Sequence, residues 1–252
     1  LSLTTPAAGF LLDPAVDYLN HGSFGACPRP VLDAQSRLRE ELEREPVAFL
    51  ARSLEGRLDV ARQALASLLD GEPRQMVFVP NATTGVNTAL AACPLRPGDE
   101  VLMTDHTYNA CKNAVRLVAQ RRGAAVVVAT VPFPLQHEEQ VVEAVLAAVS
   151  PRTRLALIDH VTSATGLVLP IARLIRELQA RGVRVLVDGA HAPGLLPFSL
   201  RALGADYYAG NCHKWLCTPK GAAFLYVAAE HADSVPPLVI SHGAVSSRTD
   251  RP

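Results

Sequence analysis

The chain has 252 residues, 49% of them hydrophobic and 19% charged, with a formal net charge of zero at pH 7. That composition supplies one large apolar core and excludes a disordered chain. With no basic run or basic-aromatic stripe, the charge pattern recommends neither nucleic acid nor an anionic membrane as a partner, and the expected ligand is a small molecule.

In chain order, residues 1–29 read as an N-terminal segment carrying "LNHGSFG". It lacks a charged leader before a hydrophobic stretch, and no apolar run in the chain approaches the roughly 18 residues of a membrane span, so a cytoplasmic location is expected. From Pro30 to Asp70, apolar residues recur at three-to-four spacing, which predicts two helices meeting near Pro46. The run "MVFVP" then predicts a strand, and "NATTGVNTALAAC" a small-residue turn that opens a helix. "EVLMTD", "AAVVVAT", "RLALID" and "VRVLVD" read as buried strands, separated by the helical stretches "ACKNAVRLVAQRRG", "EEQVVEAVLAAV" and "IARLIRELQARG". "ADYYAGN" and "AAFLYV" flank a "CHKW" loop and bring the strand count to about seven. Such alternation predicts an α/β domain over 30–240, with a mainly parallel sheet covered by helices on both faces. Residues 241–252, turn-rich and polar, read as the start of a connection to a smaller C-terminal domain.

Three lysines, Lys112, Lys214 and Lys220, stand against twenty-one arginines. Arginine supplies charge, whereas only lysine can lose its proton at ordinary pH and act as an amine nucleophile or base, which singles out Lys214 in "GNCHKWLCTPKG". In open α/β sheets ligands gather beyond the carboxyl ends of the strands, so the strand-end stretches "FVPNATTG", "MTDHTYN", "IDHVTSATG" and "LVDGAHAPG" are the next suspects. At "NATTG" the helix start and the Thr83 and Thr84 hydroxyls suit an anion, or ordinary helix capping. Asp188, ending an apolar strand, calls for a cationic partner such as a protonated heteroaromatic nitrogen, or caps the next turn. His191 either orients a ring or is structural, and Tyr108 either stacks on a flat ligand or fills the core. The five cysteines are odd in number and scattered, as reduced thiols are; Cys212 and Cys217 lack a second pair to complete a zinc site, and no metal is expected. An anion cradle, a strand-end aspartate, an aromatic and an isolated lysine together match one cofactor, pyridoxal 5′-phosphate (PLP). Neither "GxGxxG" nor "GxxxxGK[ST]" follows any strand, which weakens a nucleotide-binding alternative.

Carried by "LNHGSFGACPRPV", "REPVAFLAR", "DHTYNA", "SATGLVLP", "VDGAHAPG" and "YAGNCHKWL", residues 17 to 228 resemble the class V aminotransferase group of fold-type-I PLP enzymes. The resemblance implies the aspartate-aminotransferase-like large domain and a homodimer. It also implies that Lys214 bonds the cofactor aldehyde and later moves the Cα proton, that Asp188 pairs with the pyridine nitrogen, and that Tyr108 stacks on the ring. Ala82 and Thr83 would hold the phosphate, with Asn211 and His213 contributing from the lysine loop. His191 and Ser163 would lie on the phenolic-oxygen side, and Asn20 and His21 at the substrate mouth. The implied substrate is an amino acid or an amino-acid-containing peptide. Epimerisation at Cα is the leading reaction, with C–S cleavage, desulfuration, transamination and a catalytically silent binding or dimerisation role as alternatives.

Overall fold

The computed structural model of the chain describes residues 9–240. The connection expected over 241–252 lies outside them. Pro28 and Pro30 fix the entry to α1 (Arg29–Arg44), a helix with no buried residue. The expected second helix is divided: after Pro46 the backbone runs as a π-helical stretch, Ala48–Ser53, before α2 (Leu54–Leu69) begins. Ser53 Oγ bonds back to the Phe49 carbonyl at 3.1 Å, a local competitor of regular helical bonding. Only Leu65, Ala66 and Leu69 of α2 are buried.

The remaining elements alternate. They are β1 (Met76–Val79), α3 (Ala82–Ala92), β2 (Glu100–Thr104), α4 (Asn109–Arg122), β3 (Ala125–Ala129), α5 (Glu139–Ala147), β4 (Thr153–Asp159), α6 (Ile171–Gln179), β5 (Arg184–Gly189), the short α7 (Leu200–Leu203), β6 (Tyr207–Asn211) and β7 (Ala223–Val227). They build one seven-stranded sheet of order β1-β7-β6-β5-β4-β2-β3. Every pairing is parallel except the two made by β7. All seven expected strands are present, and the sheet is mainly parallel as expected, because runs such as "LALI" and "VLV" are apolar on both sides and suit a sheet covered on both faces.

Strand parity divides the core. Leu155, Leu157, Leu186, Tyr207 and Ala209 pack under α3 and α4, while Ala156, Ile158, Val185, Val187 and Tyr208 pack under α5 and α6. The same parity carries Asp159 and Asp188 onto the α3–α4 side at the ends of their strands. Because β1, β2, β4, β5 and β6 all run the same way, their carboxyl ends meet at one edge of the sheet.

On the opposite face that edge rests on an aromatic stack. Phe198 and Phe224 stack on the Tyr208 ring, with centroids 5.4 and 6.1 Å away, and the Tyr208 hydroxyl bonds His160 Nδ1 at 2.9 Å. Gly189 is required there: a Cβ would lie 2.1 Å from the buried Tyr208 ring. Gly189→Ala should therefore lower stability by about 3 kcal/mol. Gly56→Ala, in α2 with open space around it, should raise stability by up to about 1 kcal/mol. Urea unfolding midpoints of the two variants check both signs.

Candidate active site

The candidate side chains come from strand ends, a helix start and the loops that follow them. Asn81 caps α3, its Oδ1 accepting from the Thr84 N–H at 2.8 Å and from the Thr84 hydroxyl at 3.1 Å. The Ala82 N–H donates to Asn211 Oδ1 at 2.8 Å, a buried bond that ties the start of α3 to the end of β6. Thr83 N–H, between them, has no backbone or side-chain acceptor among the described residues. The first turn of α3 thus keeps one donor and a hydroxyl for an anion. Gly85 lets α3 sit this low on the sheet, since a Cβ there would be 3.0 Å from the Ala209 Cβ.

Asp188 is 3% exposed. Burial raises its carboxyl above the ordinary carboxylate range, against the pull of the Cys111 thiol, the Ala190 N–H and the Lys214 charge. Cys111 Sγ, from the first turn of α4, donates to Asp188 Oδ2 at 3.1 Å, and the Ala190 N–H donates to Oδ1 at 3.0 Å. Burial and the Asp188 charge push the Cys111 thiol far up, so it stays protonated and serves as a donor. Beside Asp188 in register on β4 stands Asp159, equally buried, whose Oδ1 accepts from the Tyr108 N–H at 3.3 Å.

The lysine loop leaves β6 and turns back to β7. Lys214 Nζ lies 3.0 Å from His191 Nε2. Burial lowers the Lys214 amine from its ordinary value, opposed by Asp188 and Cys111. Burial and the Lys214 charge lower His191 to about 4, so its ring is neutral at physiological pH and accepts a hydrogen bond from the ammonium. His213 lies within 2.8 Å of the Ala222 carbonyl through Nδ1; that nitrogen carries the donating proton, leaving Nε2 as the acceptor.

Two glycines fix the loop from outside. A Cβ on Gly25 would lie 2.5 Å from both the His213 and Lys214 carbonyl oxygens, and one on Gly194, at φ +84°, would lie 2.6 Å from the Trp215 carbonyl carbon. The N-terminal segment packs on the same loop through His21, whose ring lies 5.4 Å from that of Trp215 and whose Nε2 is 3.3 Å from Cys217 Sγ.

Lys214, His191, Asp188, Asn211, Ala82 and His21 are thereby brought to one sheet edge, with Thr83 and His213 beside them. Tyr108, Ser163 and Asn20 are exposed around it: Tyr108 precedes α4 at 46% exposure, Ser163 lies in the turn after β4, and Asn20 lies in the N-terminal turn. Sequence reasoning passed over Asp159 and Cys111. Asp159 ends "RLALID" as Asp188 ends "VRVLVD", so the same strand-end signal was available. Cys111, a lone thiol in a helix start, carries no such signal.

The arrangement suits a flat, cationic heteroaromatic ring with an anionic arm. Among the described residues the cation acting on the buried Asp188 carboxylate is Lys214. The desolvated Lys214 amine is poised as a nucleophile and base.

Residues 26–249 match the family described as aminotransferase class-V. Among curated proteins, the chain is 43% identical over 237 residues to isopenicillin N epimerase of Amycolatopsis lactamdurans, covering 92% of this chain and 59% of that protein. It is 38% identical over 231 residues to isopenicillin N epimerase of Streptomyces clavuligerus, covering 92% and 58%. Among solved structures, the cystine C-S lyase C-DES in complex with cysteine persulfide superposes with a TM-score of 0.81 at 30% identity, covering 88% of this chain and 60% of that one. A C-DES variant has been solved with glycine covalently linked to its PLP cofactor; it gives a TM-score of 0.84 at 28% identity and covers 94% and 63%. The chain spans about three fifths of the length of these relatives.

The neutral His191 ring gives a pH test of the site. On lowering pH from about 8 to about 5, its ring resonances should keep the neutral pattern, and its titration should begin only below that range. NMR of ring-labelled protein measures this; a midpoint at the ordinary histidine value of 6.5 would show that the ring is not held against Lys214 as described.

Proposed function

The chain belongs to the aminotransferase class-V family of PLP enzymes, and from that premise we propose that its strand-end cluster holds pyridoxal 5′-phosphate and works at the Cα of an amino acid or amino-acid-containing peptide. The observation that carries this reading is the gathering at one parallel sheet edge of a desolvated lysine, Lys214, bonded to His191, and a buried strand-end aspartate, Asp188, whose charge acts on it. When bound, the cofactor supplies an electron sink that makes the Cα–H bond of an attached amine acidic.

The chain's own groups divide the remaining work. The Lys214 Nζ would provide the amine that holds the cofactor and the base that takes the Cα proton. His191, neutral and 3.0 Å from Nζ, directs that amine and meets the phenolic-oxygen side of the ring together with Ser163. Asp188, held in place by Cys111 and the Ala190 N–H, would meet the ring nitrogen and favour its protonated form. The start of α3 would take the phosphate through Thr83, with the Ala82–Asn211 bond fixing that helix start and His213 contributing from the lysine loop. Tyr108, exposed at the start of α4, covers the ring face, and Asn20 and His21 border the substrate mouth.

Among the reactions open at the Cα, we favour return of the proton to the opposite face, which is epimerisation, because the identities of 43% and 38% to isopenicillin N epimerases exceed the 34% and 36% to putative L-cysteine desulfhydrases and the 30% to the C–S lyase. The lyase superposition supports C–S cleavage as the second reading. A homodimer is part of the same proposal.

Borohydride treatment of the PLP-loaded protein should fix the cofactor onto a peptide containing Lys214. Lys214→Ala should lose that adduct and slow Cα proton exchange by about 1000-fold or more. Asp188→Ala should keep the adduct and lose most of the exchange. Exchange is read by deuterium incorporation at Cα in heavy water. Chiral chromatography of a peptide substrate, against pyruvate and sulfide release from cysteine, separates epimerisation from C–S cleavage.

A further inference from the structure

Asp159 is as buried as Asp188, at 1% exposure, and no residue assigned to the reaction accounts for it. The two are register partners on adjacent parallel strands, so their side chains leave the same face of the sheet at neighbouring positions. The groups around Asp159 offer it no counter-charge. From the turn after β2, the Tyr108 N–H donates to Oδ1 at 3.3 Å, and the Thr107 hydroxyl, engaged with Thr104, adds only a pull toward the charged form. From α4, the titratable group turned toward the pair is the Cys111 thiol, already committed to Asp188. α3 carries no titratable side chain. The Lys214 amine acts on Asp188 and Cys111, and the Asp105 carboxylate turns away to the Val131 N–H. Asp159 Oδ2 is buried without a hydrogen-bond partner.

Two carboxylates at this spacing in a dry site do not both ionise. Asp188 receives the thiol, a backbone donor and the lysine, so the negative charge settles there. We propose that Asp159 is a positioning residue that stands in the folded protein as an un-ionised carboxylic acid, holding the Tyr108 backbone in place while leaving Asp188 as the single negative charge at the ring-nitrogen position. This rests on the cofactor reading above for what the charge serves, but the protonation state belongs to the chain itself. Burial and the Asp188 charge raise Asp159 to about 8, consistent with that assignment.

The sign of the pH dependence follows. A carboxyl raised from 3.8 to about 8 binds its proton in the folded state and releases it on unfolding between those values, so its contribution is complete at low pH and is lost as pH rises through the folded value. Asp159→Asn keeps shape and neutrality, and removes that loss.

The experiment uses the unmodified chain, Asp159→Asn and Asp188→Asn. In the cofactor-free unmodified chain near neutral pH, infrared spectroscopy should show the carbonyl stretch of a protonated, buried carboxylic acid, and Asp159→Asn should lack it. The urea midpoint of the unmodified chain, compared with that of Asp159→Asn, should fall as pH rises from about 5 to about 8. A purely structural role for Asp159 would offset the two curves equally at every pH. PLP affinity, read by absorbance, should change less than about twofold in Asp159→Asn and weaken more than about tenfold in Asp188→Asn.

Absence of the infrared band, its survival in Asp159→Asn, or parallel pH curves would overturn the proposal. So would a loss of PLP affinity in Asp159→Asn equal to that in Asp188→Asn. Should Asp159→Asn fail to fold, Asp188→Asn decides: survival of the band there assigns it to Asp159, and its loss overturns the proposal. An infrared band assigned to Asp159 beside unchanged PLP affinity in Asp188→Asn would support the protonated carboxyl and sink the cofactor reading instead.

Discussion

The constraint on which this site depends is the burial of a carboxylate at the end of a strand that is apolar on both faces. Asp188 follows Val185, Leu186 and Val187, all fully buried, and the helices above and below leave it no access to bulk water. An ionised carboxylate in such surroundings costs several kcal/mol unless donors and cations meet it. The neighbouring elements answer that cost in turn. α4 aims Cys111 at it, the turn into "AHAPG" supplies the Ala190 N–H, and the lysine loop supplies Lys214. Two donors, one on each oxygen, and the charge of Lys214 act on the carboxylate, and the parallel sheet sets the level at which they meet.

The geometry of the lysine loop is a second consequence of that edge. Lys214 must approach His191 and Asp188 while its own backbone turns from β6 to β7, which draws the chain tightly against its neighbours. Gly25 and Gly194 stand where any side chain would collide with the loop backbone, and Trp215 fills the space between His21, Gly22 and Gly194. The N-terminal segment is therefore part of the site's wall. Its sequence, with two glycines flanking "SF", reads as loop chemistry, yet Gly25 is fixed by packing against residues 188 to 189 positions further along the chain.

The alternation of apolar strands with amphipathic helices was enough to read the architecture, because period and length are local properties of the sequence. The strand-end candidates were legible for the same reason: a polar residue closing an apolar run has one place to be in a parallel sheet. What was not legible depended on partners. The break of the second helix into a π-helical stretch and α2 arises from a serine competing for a backbone carbonyl, which helical periodicity does not reveal. The commitment of the Ala82 N–H to Asn211 joins residues 129 positions apart. Cys111 reads as a small buried thiol until the structure sets it against Asp188.

Asp159 and Asp188 show how register converts two similar sequence signals into two different roles. Each closes an apolar strand and each is buried, so sequence alone ranks them equally. The difference lies in what the third dimension brings to them. Asp188 collects a thiol and an N–H and lies in the field of the Lys214 amine; Asp159 collects an N–H that belongs to Tyr108, and keeps one oxygen unpartnered. Charge settles where donors are densest, and the carboxyl left with fewer donors is the one that keeps a proton. A parallel sheet that aligns two acids at one edge therefore needs no cation between them, provided its loops and helices treat the two unequally. In the proposed reading, that inequality leaves one acid as an electrostatic partner for a ligand and the other as a fixed part of the scaffold.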